Sequence, residues 1–190
     1  MPRKPEYNRD DLIDRARALF WRKGWAGSSL KDLEESLKIN PGSFYAAFGS
    51  KDALFELALD RYAADSVENL RKLAEELGPL QALQTLPVQI VCNTAAPAKA
   101  CMLSKSYLEL QGRDHPLARK ANALLLEMET QIERLFAEAQ ELGLIQKDHC
   151  PLRLARKYQS DLLGLRVSAE RPGVDVVAIA EEIGDGLSKL

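Results

Sequence analysis

Residues 28–55 contain two short amphipathic segments separated only by a tight turn, and this arrangement constrains the fold more than any other feature of the chain. The first segment begins at Ser28 or Ser29, with Asp32 placed three residues after Ser29 as in a capping box. The second begins at Asn40, a favoured N-cap, and Pro41 follows at the first helical position. The pattern therefore predicts two helices joined by a short turn.

Each of these predicted helices has one apolar face. Leu30, Leu33 and Leu37 recur at helical spacing in the first, and Phe44 and Phe48 do so in the second. The opposite face of the second helix is small and nearly uncharged, and it comprises Gly42, Ser43, Tyr45, Ala46 and Ala47. Because a helix this short is marginal alone, it depends on its neighbours. It is either part of an ordinary helical hairpin or a rigid probe that fits a DNA major groove.

The second alternative is favoured because the run PGSFYAAFGSKDALFELAL resembles the recognition helix and following helix of the TetR family of bacterial transcriptional regulators. Two positions depart from the family pattern: Lys38 stands where a turn glycine is usual, and Ala47 stands where a hydrogen-bonding side chain is common. The residues that carry the resemblance are Ser43, Phe44, Tyr45, Phe48, Lys51 and Leu54, with Leu12, Ile13, Ala16, Leu19, Phe20, Gly24, Ser28, Ser29 and Leu33 upstream.

The resemblance implies that the helix pair binds double-stranded DNA. It implies that the Tyr45 hydroxyl reaches a phosphate or a base edge and that Lys51 contacts a phosphate; the alternatives are a packing role for Tyr45 and a plain surface position for Lys51. Arg3, Lys4 and Arg9 form either a bare basic tail or a further DNA contact. The residues expected at the DNA are Ser28, Ser29, Pro41, Gly42, Ser43, Tyr45, Ala47 and Lys51.

The rest of the chain also reads as helices, because strand-like alternation is absent and Gly and Pro separate helix-length segments. We therefore expect an all-α protein, and the resemblance implies nine helices. Pro87 should kink or split the fifth, and Asp114 should cap the seventh. Residues 1–50 would form a three-helix, helix-turn-helix DNA-binding domain, and a helix starting at Ser50 would connect it to a ligand-binding and dimerisation domain of residues 51–190.

Charge and composition limit the classes of function. The net charge of −2 does not favour nucleic-acid binding, yet residues 1–51 carry +3 and residues 52–190 carry −5, as expected when one end meets phosphate. No apolar run is long enough for a membrane span, and three widely spaced cysteines fit a reducing cytoplasm. No catalytic constellation, metal-ligand spacing or phosphate loop is present, so we expect neither an enzyme nor a metal or other cofactor.

The last two predicted helices are more apolar than a surface position requires. They either close the core of the monomer or form a two-fold, four-helix interface. A homodimer favours the interface, because a palindromic DNA site is read by a symmetric pair. The residues expected there are Tyr158, Leu162, Leu165, Ile183, Gly184 and Leu187, with Gly184 and Gly186 allowing close approach of the backbones.

The middle helices suggest how such a regulator would sense its effector. Their apolar residues with a single hydroxyl suit a pocket for a small hydrophobic molecule, or else simply fill a core; the set is Met102, Tyr107, Leu108, Leu124 and Met128. Cys101 is either a small buried residue or a redox sensor, since some TetR-like regulators use a cysteine in this region.

Taken together, these features indicate a homodimeric repressor of transcription that binds a palindromic operator and is released by a small-molecule effector. The alternative is an α-helical ligand-binding or interaction protein whose helix pair has lost operator readout, which Lys38 and Ala47 keep open.

Overall fold

The computed structural model describes residues 8–190, which form nine α-helices and a terminal 3-10 turn, with no strand in that range. The expectation of an all-α, nine-helix fold is confirmed. The helices are α1 Arg9–Lys23, α2 Leu30–Leu37, α3 Pro41–Phe48, α4 Lys51–Leu77, α5 Pro79–Cys92, α6 Met102–Gln111, α7 Pro116–Glu141, α8 Pro151–Ser168 and α9 Val176–Gly186, followed by the turn Leu187–Lys189.

The caps of α2 and α3 form as the sequence predicts. Ser29 and Asp32 make a reciprocal capping box, and the Asn40 side chain accepts a hydrogen bond from the amide of Ser43 at 2.8 Å. Lys38 ends α2 in the left-handed conformation, with φ 57° and ψ 42°, which costs a non-glycine residue about 1–2 kcal/mol. The prediction that Leu30 is buried is wrong: it is 36% exposed, because only the side of α2 that carries Leu33 and Leu37 packs into the core.

The structure excludes one of the two effects expected of Pro87, a split helix, and corrects the cap expected for α7. Pro87 lies within α5 without dividing it, so the helix is continuous from Pro79 to Cys92. His115, rather than Asp114, caps α7: its Nδ1 accepts from the amide of Leu117 at 3.3 Å. Asp114 instead has a positive φ of 49° and belongs to the turn before the cap, a conformation that Asp tolerates better than most residues.

Buried side chains fall into two clusters. The first joins α1, α2, α3 and the start of α4 to α6 and the beginning of α7, and the Phe20 and Phe55 rings meet edge to face there at 4.7 Å. The second joins the end of α4 and α5 to α7, α8 and α9 around Phe136 and Tyr158. The helices that present α3 therefore share a core with α6 and α7, which is what fixes the position of α3 relative to the rest of the molecule.

Several residues predicted for the dimer interface are instead buried in the second cluster. Tyr158 is 2% exposed and its hydroxyl donates to the carbonyl of Leu83 at 2.6 Å. Leu162 and Leu165 are also buried, and Ile183 and Leu187 pack against the same cluster. Tyr158, Leu162 and Leu165 close the core of the monomer because the apolar face of α8 turns towards α5 and α7, so they are not free to meet a second copy, whereas Ile183 and Leu187 stay partly exposed.

The need for glycine at position 184 is also explained by a contact within one chain. A Cβ built at this position would lie 2.3 Å from the carbonyl oxygen of Gln84 in α5, so the glycine permits α9 to approach the α5 backbone. Gly186 has no atom within 4 Å of the equivalent Cβ position. The close approach expected between two subunits is thus an approach between two helices of the same subunit.

No helix in residues 8–190 is both long enough and apolar enough to cross a membrane.

The contrast between the two glycines of α9 can be measured. Gly184→Ala should lower the free energy of unfolding by about 1–3 kcal/mol, since a backbone carbonyl cannot move aside. Gly186→Ala should leave it unchanged or raise it by up to about 1 kcal/mol, because alanine is the better helix former. Urea unfolding at matched protein concentration checks both. Equal effects of the two substitutions would contradict the proposed packing of α9 on α5.

Candidate nucleic-acid interface

The outer face of α3 is small, uncharged and held from behind by two rings. Phe44 and Phe48 are buried in the first cluster, whereas Tyr45 is 49% exposed and stands edge to face with Phe44 at 5.4 Å. Gly42, Ala46 and Ala47 are exposed beside it, Pro41 is exposed at the start of the helix, and Ser43 is half-buried. The surface that results has no charge to repel phosphate and little bulk to prevent close approach to base edges.

The two serines before α2 have different environments. Ser29 is exposed, and its hydroxyl donates to Asp32 at 2.6 Å within the capping box. Ser28 is 1% exposed and its hydroxyl donates to the carbonyl of Gly24 at 2.7 Å. The expectation that the Ser28 hydroxyl faces DNA is therefore wrong, because this side chain ties the α1–α2 turn together from inside.

Lys51 lies at the first position of α4, next to α3. Its ammonium sits over the indole of Trp25, 4.3 Å from the ring centroid. Burial lowers the pKa of Lys51, against the opposing effect of the Asp52, Glu109 and Asp32 carboxylates. The half-buried ammonium is held at the edge of the α3 face, where the first amides of α4 also lie free of intrahelical partners.

Two further charges border this surface. Arg9 places its guanidinium 5.6 Å from the centroid of Phe48, at the side of α3. Asp32 is paired with Lys23 and hydrogen-bonded to Ser29, and these contacts hold the pKa of Asp32 well below its usual range. The one carboxylate nearest the start of α2 is thus neutralised within the protein. Arg3 and Lys4, the other members of the expected basic arm, lie outside the described residues.

The turn between α1 and α2 is fastened to α6. The Glu109 carboxylate accepts from the amides of Trp25, at 3.0 Å, and Ala26, at 2.7 Å. Gly24 makes this possible, because its φ is 75° and a Cβ there would lie 2.6 Å from a Glu109 oxygen. Lys105, one helical turn before Glu109, donates to the carbonyl of Trp21 at 2.8 Å. Backbone groups of Trp21 at the end of α1 and of Trp25 and Ala26 in the turn are therefore held by side chains 83 or 84 residues away in sequence.

A second fastening links the same turn to α4 and α7. Trp25 donates from its indole nitrogen to Asp52 at 2.7 Å, and His115 lies 3.4 Å from the other oxygen of that carboxylate. The Trp25 and His115 rings are 4.8 Å apart. Sequence reasoning missed Trp25 and Glu109, because neither belongs to a local motif and their roles come only from contacts between distant segments.

The body contains a cavity of about 350 Å³ bordered by α4, α5, α6, α7 and α8 and by residues just before α6. Of the five residues expected to line a pocket, only Met128 does so. Met102 and Leu124 are buried in the first cluster, Tyr107 packs against it, and Leu108 is 70% exposed. The predicted residues of α6 share no single face: Met102 packs into the first cluster and Leu108 is exposed, whereas Cys101 and Leu103, at the start of the helix, line the cavity.

Cys101 is 7% exposed and lines this cavity just before α6 begins. The two lysines near it in sequence are engaged elsewhere: the Lys99 ammonium donates to the carbonyls of Val91 and Asn93, and Lys105 donates to Trp21. Cys92 and Cys150 are exposed. Within residues 8–190 no group of three or more metal-ligating side chains comes together.

Comparison with known proteins agrees with this geometry. The family model for bacterial regulatory proteins of the tetR family matches residues 12–58, the segment that builds α1 to α3 and the first part of α4. The repressor DhaR of Mycobacterium sp. (strain GP1) is 24% identical over 88% of this chain and 86% of its own length. The repressor ComR of Escherichia coli (strain K12) is 28% identical over 95% of this chain and 88% of its own.

Solved structures extend the likeness over the whole chain. A cysteine mutant of the TetR-family regulator CifR, complexed with 26-base-pair double-stranded operator DNA, superimposes with a TM-score of 0.83 at 26% identity, covering 96% of this chain and 98% of that one. A TetR-family regulator from Cytophaga hutchinsonii gives a TM-score of 0.82 at 19% identity, covering 95% and 91%. The resemblance first indicated by the α3 motif is confirmed: residues 12–58 match the tetR family of bacterial regulatory proteins, and the whole chain is similar to TetR-family transcriptional regulators in sequence and fold.

Proposed function

We propose that this protein is a cytoplasmic repressor that binds a palindromic operator as a homodimer and releases it when a small molecule occupies the cavity of the body. The observation that carries the proposal is the exposed, uncharged face of α3 around Tyr45, held rigidly on a core shared with α6 and α7. The operator complex of CifR, a protein of the same fold and family, supports the assignment of DNA as the partner.

In this proposal residues 1–50 are the DNA-binding unit and residues 51–190 are the ligand-binding and dimerisation unit. Gly42 and Ala47 approach base edges, with the alanine methyl group suited to a thymine methyl group. Tyr45 reaches a phosphate or a base edge with its hydroxyl. Phosphates are held by Lys51, Ser29 and Ser43 at the helix starts, where free amides favour anions, and Pro41, which has no N–H to donate, contacts the DNA only through its ring.

The roles of Tyr45 and Lys51 can be separated from folding. Tyr45→Phe removes only a hydroxyl, and Lys51→Met keeps the aliphatic stem on Trp25 while removing the charge. Both variants should fold and self-associate like the wild type but bind operator about tenfold more weakly, and Lys51→Met should lower the salt slope by about 1. The measurement is fluorescence anisotropy at several salt concentrations, with a duplex identified by footprinting the protein upstream of its own gene.

Lys147→Met is the matched control, because Lys147 is exposed in the loop before α8. Wild-type affinity and salt slope in both test variants would reject the assignment of α3 as the DNA-reading helix. That result would favour the alternative in which the protein binds a ligand or partner without reading an operator.

We place the dimer interface on the outer faces of α8 and α9, since their inner faces are already buried. Val167 is 57% exposed and Val177 is 40% exposed, although both are apolar. Gly164 is exposed one turn before Val167, with open space around it. An apolar strip with a small residue allows two helices of one subunit to pack against the same pair of another.

A charge on this strip should separate the subunits. Val167→Glu is expected to give a monomer in analytical ultracentrifugation and to weaken operator binding at least about tenfold, because one half-site is then read alone. Leu108→Glu is the control, since Leu108 is 70% exposed on α6. If Val167→Glu remains a dimer with unchanged affinity for operator, the interface lies elsewhere.

Release by an effector follows from the position of α6. The helix starts at the cavity wall beside Cys101 and carries Lys105 and Glu109 one and two turns later, where they hold the α1–α2 turn. A ligand that displaces the start of α6 would thus shift the head in each subunit and change the spacing of the two α3 helices. We favour this reversible mechanism over oxidation of Cys101, because the thiol is buried and its neighbouring lysines are engaged with carbonyls.

A further inference from the structure

The polar side chains of the cavity are unevenly distributed. Its mouth lies between the exposed polar residues of α4 and α5, among them Asn69, Glu76 and Gln89. Much of the wall is aliphatic, contributed by residues that include Leu70, Leu103, Leu125, Met128, Ile132 and Leu162. Beyond the mouth, the charged groups that line the cavity are both cations, Arg166 from α8 and Lys99 from the segment before α6.

Arg166 is the less engaged of the two cations. It is half-buried, and its Nη1 donates to the carbonyl of Lys99 at 3.2 Å. It takes part in none of the ion pairs formed by the described residues. Glu170, four residues later and just beyond the end of α8, accepts hydrogen bonds with one carboxylate oxygen from the amides of Lys99 and Ala100, each at 2.8 Å. Glu170 keeps its charge, but none of its oxygens forms an ion pair with Arg166, so no carboxylate of the described residues is directly paired with this guanidinium.

The Lys99 ammonium has hydrogen-bond acceptors, but it forms no ion pair with a carboxylate of the described residues. Its ammonium donates to the carbonyl of Val91 at 3.0 Å and to that of Asn93 at 2.9 Å, at the end of α5. These carbonyls carry only partial charge. The lining residue that bears a carboxylate, Glu76, is exposed at the mouth. The interior of the cavity thus holds an excess of positive charge in a partly desolvated space, where an unpaired charge is costly.

Tyr62 adds a hydrogen-bond donor at the same end. It lines the cavity, is 5% exposed, and packs edge to face on Trp21 at 4.9 Å. Burial raises the pKa of Tyr62, the neighbouring Cys101 thiol raises it further, and the Arg166 guanidinium opposes the shift. The hydroxyl therefore stays protonated at neutral pH, and it lines the same cavity as Arg166.

We infer that the cavity takes a small amphipathic carboxylic acid, with its carboxylate paired to Arg166 and its apolar part against the aliphatic wall. A guanidinium and a carboxylate match as a fork of parallel hydrogen bonds, and the pairing supplies the negative charge that the cavity lacks. The volume of about 350 Å³ suits a compact molecule rather than a long lipid. This inference rests on the proposed function for its regulatory meaning, but the chemistry of the cavity can be tested without DNA.

The test is isothermal titration calorimetry with two probes of the same shape, 4-phenylbutyrate and its neutral amide. Wild-type protein should bind the carboxylate at least about tenfold more tightly than the amide. Arg166→Gln should bind the two probes equally, at the affinity of the wild type for the amide. Arg153→Gln, a change on the exposed face of α8, should keep the wild-type preference. Retained amide binding in Arg166→Gln shows that the cavity itself remains formed.

Several outcomes would overturn the inference: no binding of either probe by the wild type, equal binding of both, or a preference that survives Arg166→Gln. Titration of the same samples with operator duplex keeps the proposed function separate. Failure to bind operator rejects the repressor and leaves the ligand class to stand on calorimetry. A protein that binds operator but does not discriminate between the probes rejects only the ligand class.

Discussion

The arrangement of this molecule depends on one contact, in which the Glu109 carboxylate accepts hydrogen bonds from two backbone amides. The amides of Trp25 and Ala26 begin the turn that sets the start of α2, and α2 in turn sets α3. Because a charged acceptor makes hydrogen bonds about twice as strong as a neutral one, this contact can hold a turn that has little apolar burial of its own. Gly24 is required for it, since any side chain there would occupy the place of the carboxylate.

The same contact connects the ligand cavity with the helices that position the DNA-reading face of α3. The helix that bears Glu109 starts at the cavity wall, and the first cluster packs it directly against the helices of the head. Close-packed cores transmit small displacements because they cannot absorb them. The cavity, which is lined by Arg166, and the uncharged face around Tyr45 are thus two ends of one packed body. Arg166 donates to the carbonyl of Lys99, two residues before the cap of α6 at Cys101. A ligand paired with Arg166 would therefore lie beside the segment from which α6 begins.

Whether a feature could be predicted from the sequence depends on how far apart along the chain the interacting residues lie. The capping box at Ser29, the cap at Asn40 and the nine helices depend on neighbouring residues, and these predictions were confirmed. The partners of Glu109 and Tyr158 lie far apart along the chain, so no local pattern contains them. Apolar periodicity marks the buried face of a helix but does not say what covers it. For this reason the residues predicted for the dimer interface and the pocket proved to be largely core, and Ser28 proved to be an internal hydrogen-bond donor.

The most direct test of this account combines amide hydrogen exchange with operator binding in Glu109→Gln, with Glu127→Gln on the exposed face of α7 as control. An amide side chain keeps one acceptor and loses the other, so one of the two turn amides is left unpaired. We predict faster exchange at the amide left unpaired, that of Trp25 or of Ala26, unchanged protection in α7 and α8, and about tenfold weaker operator binding. Unchanged exchange at both amides together with wild-type operator affinity would contradict the claim that α6 positions the DNA-reading helix.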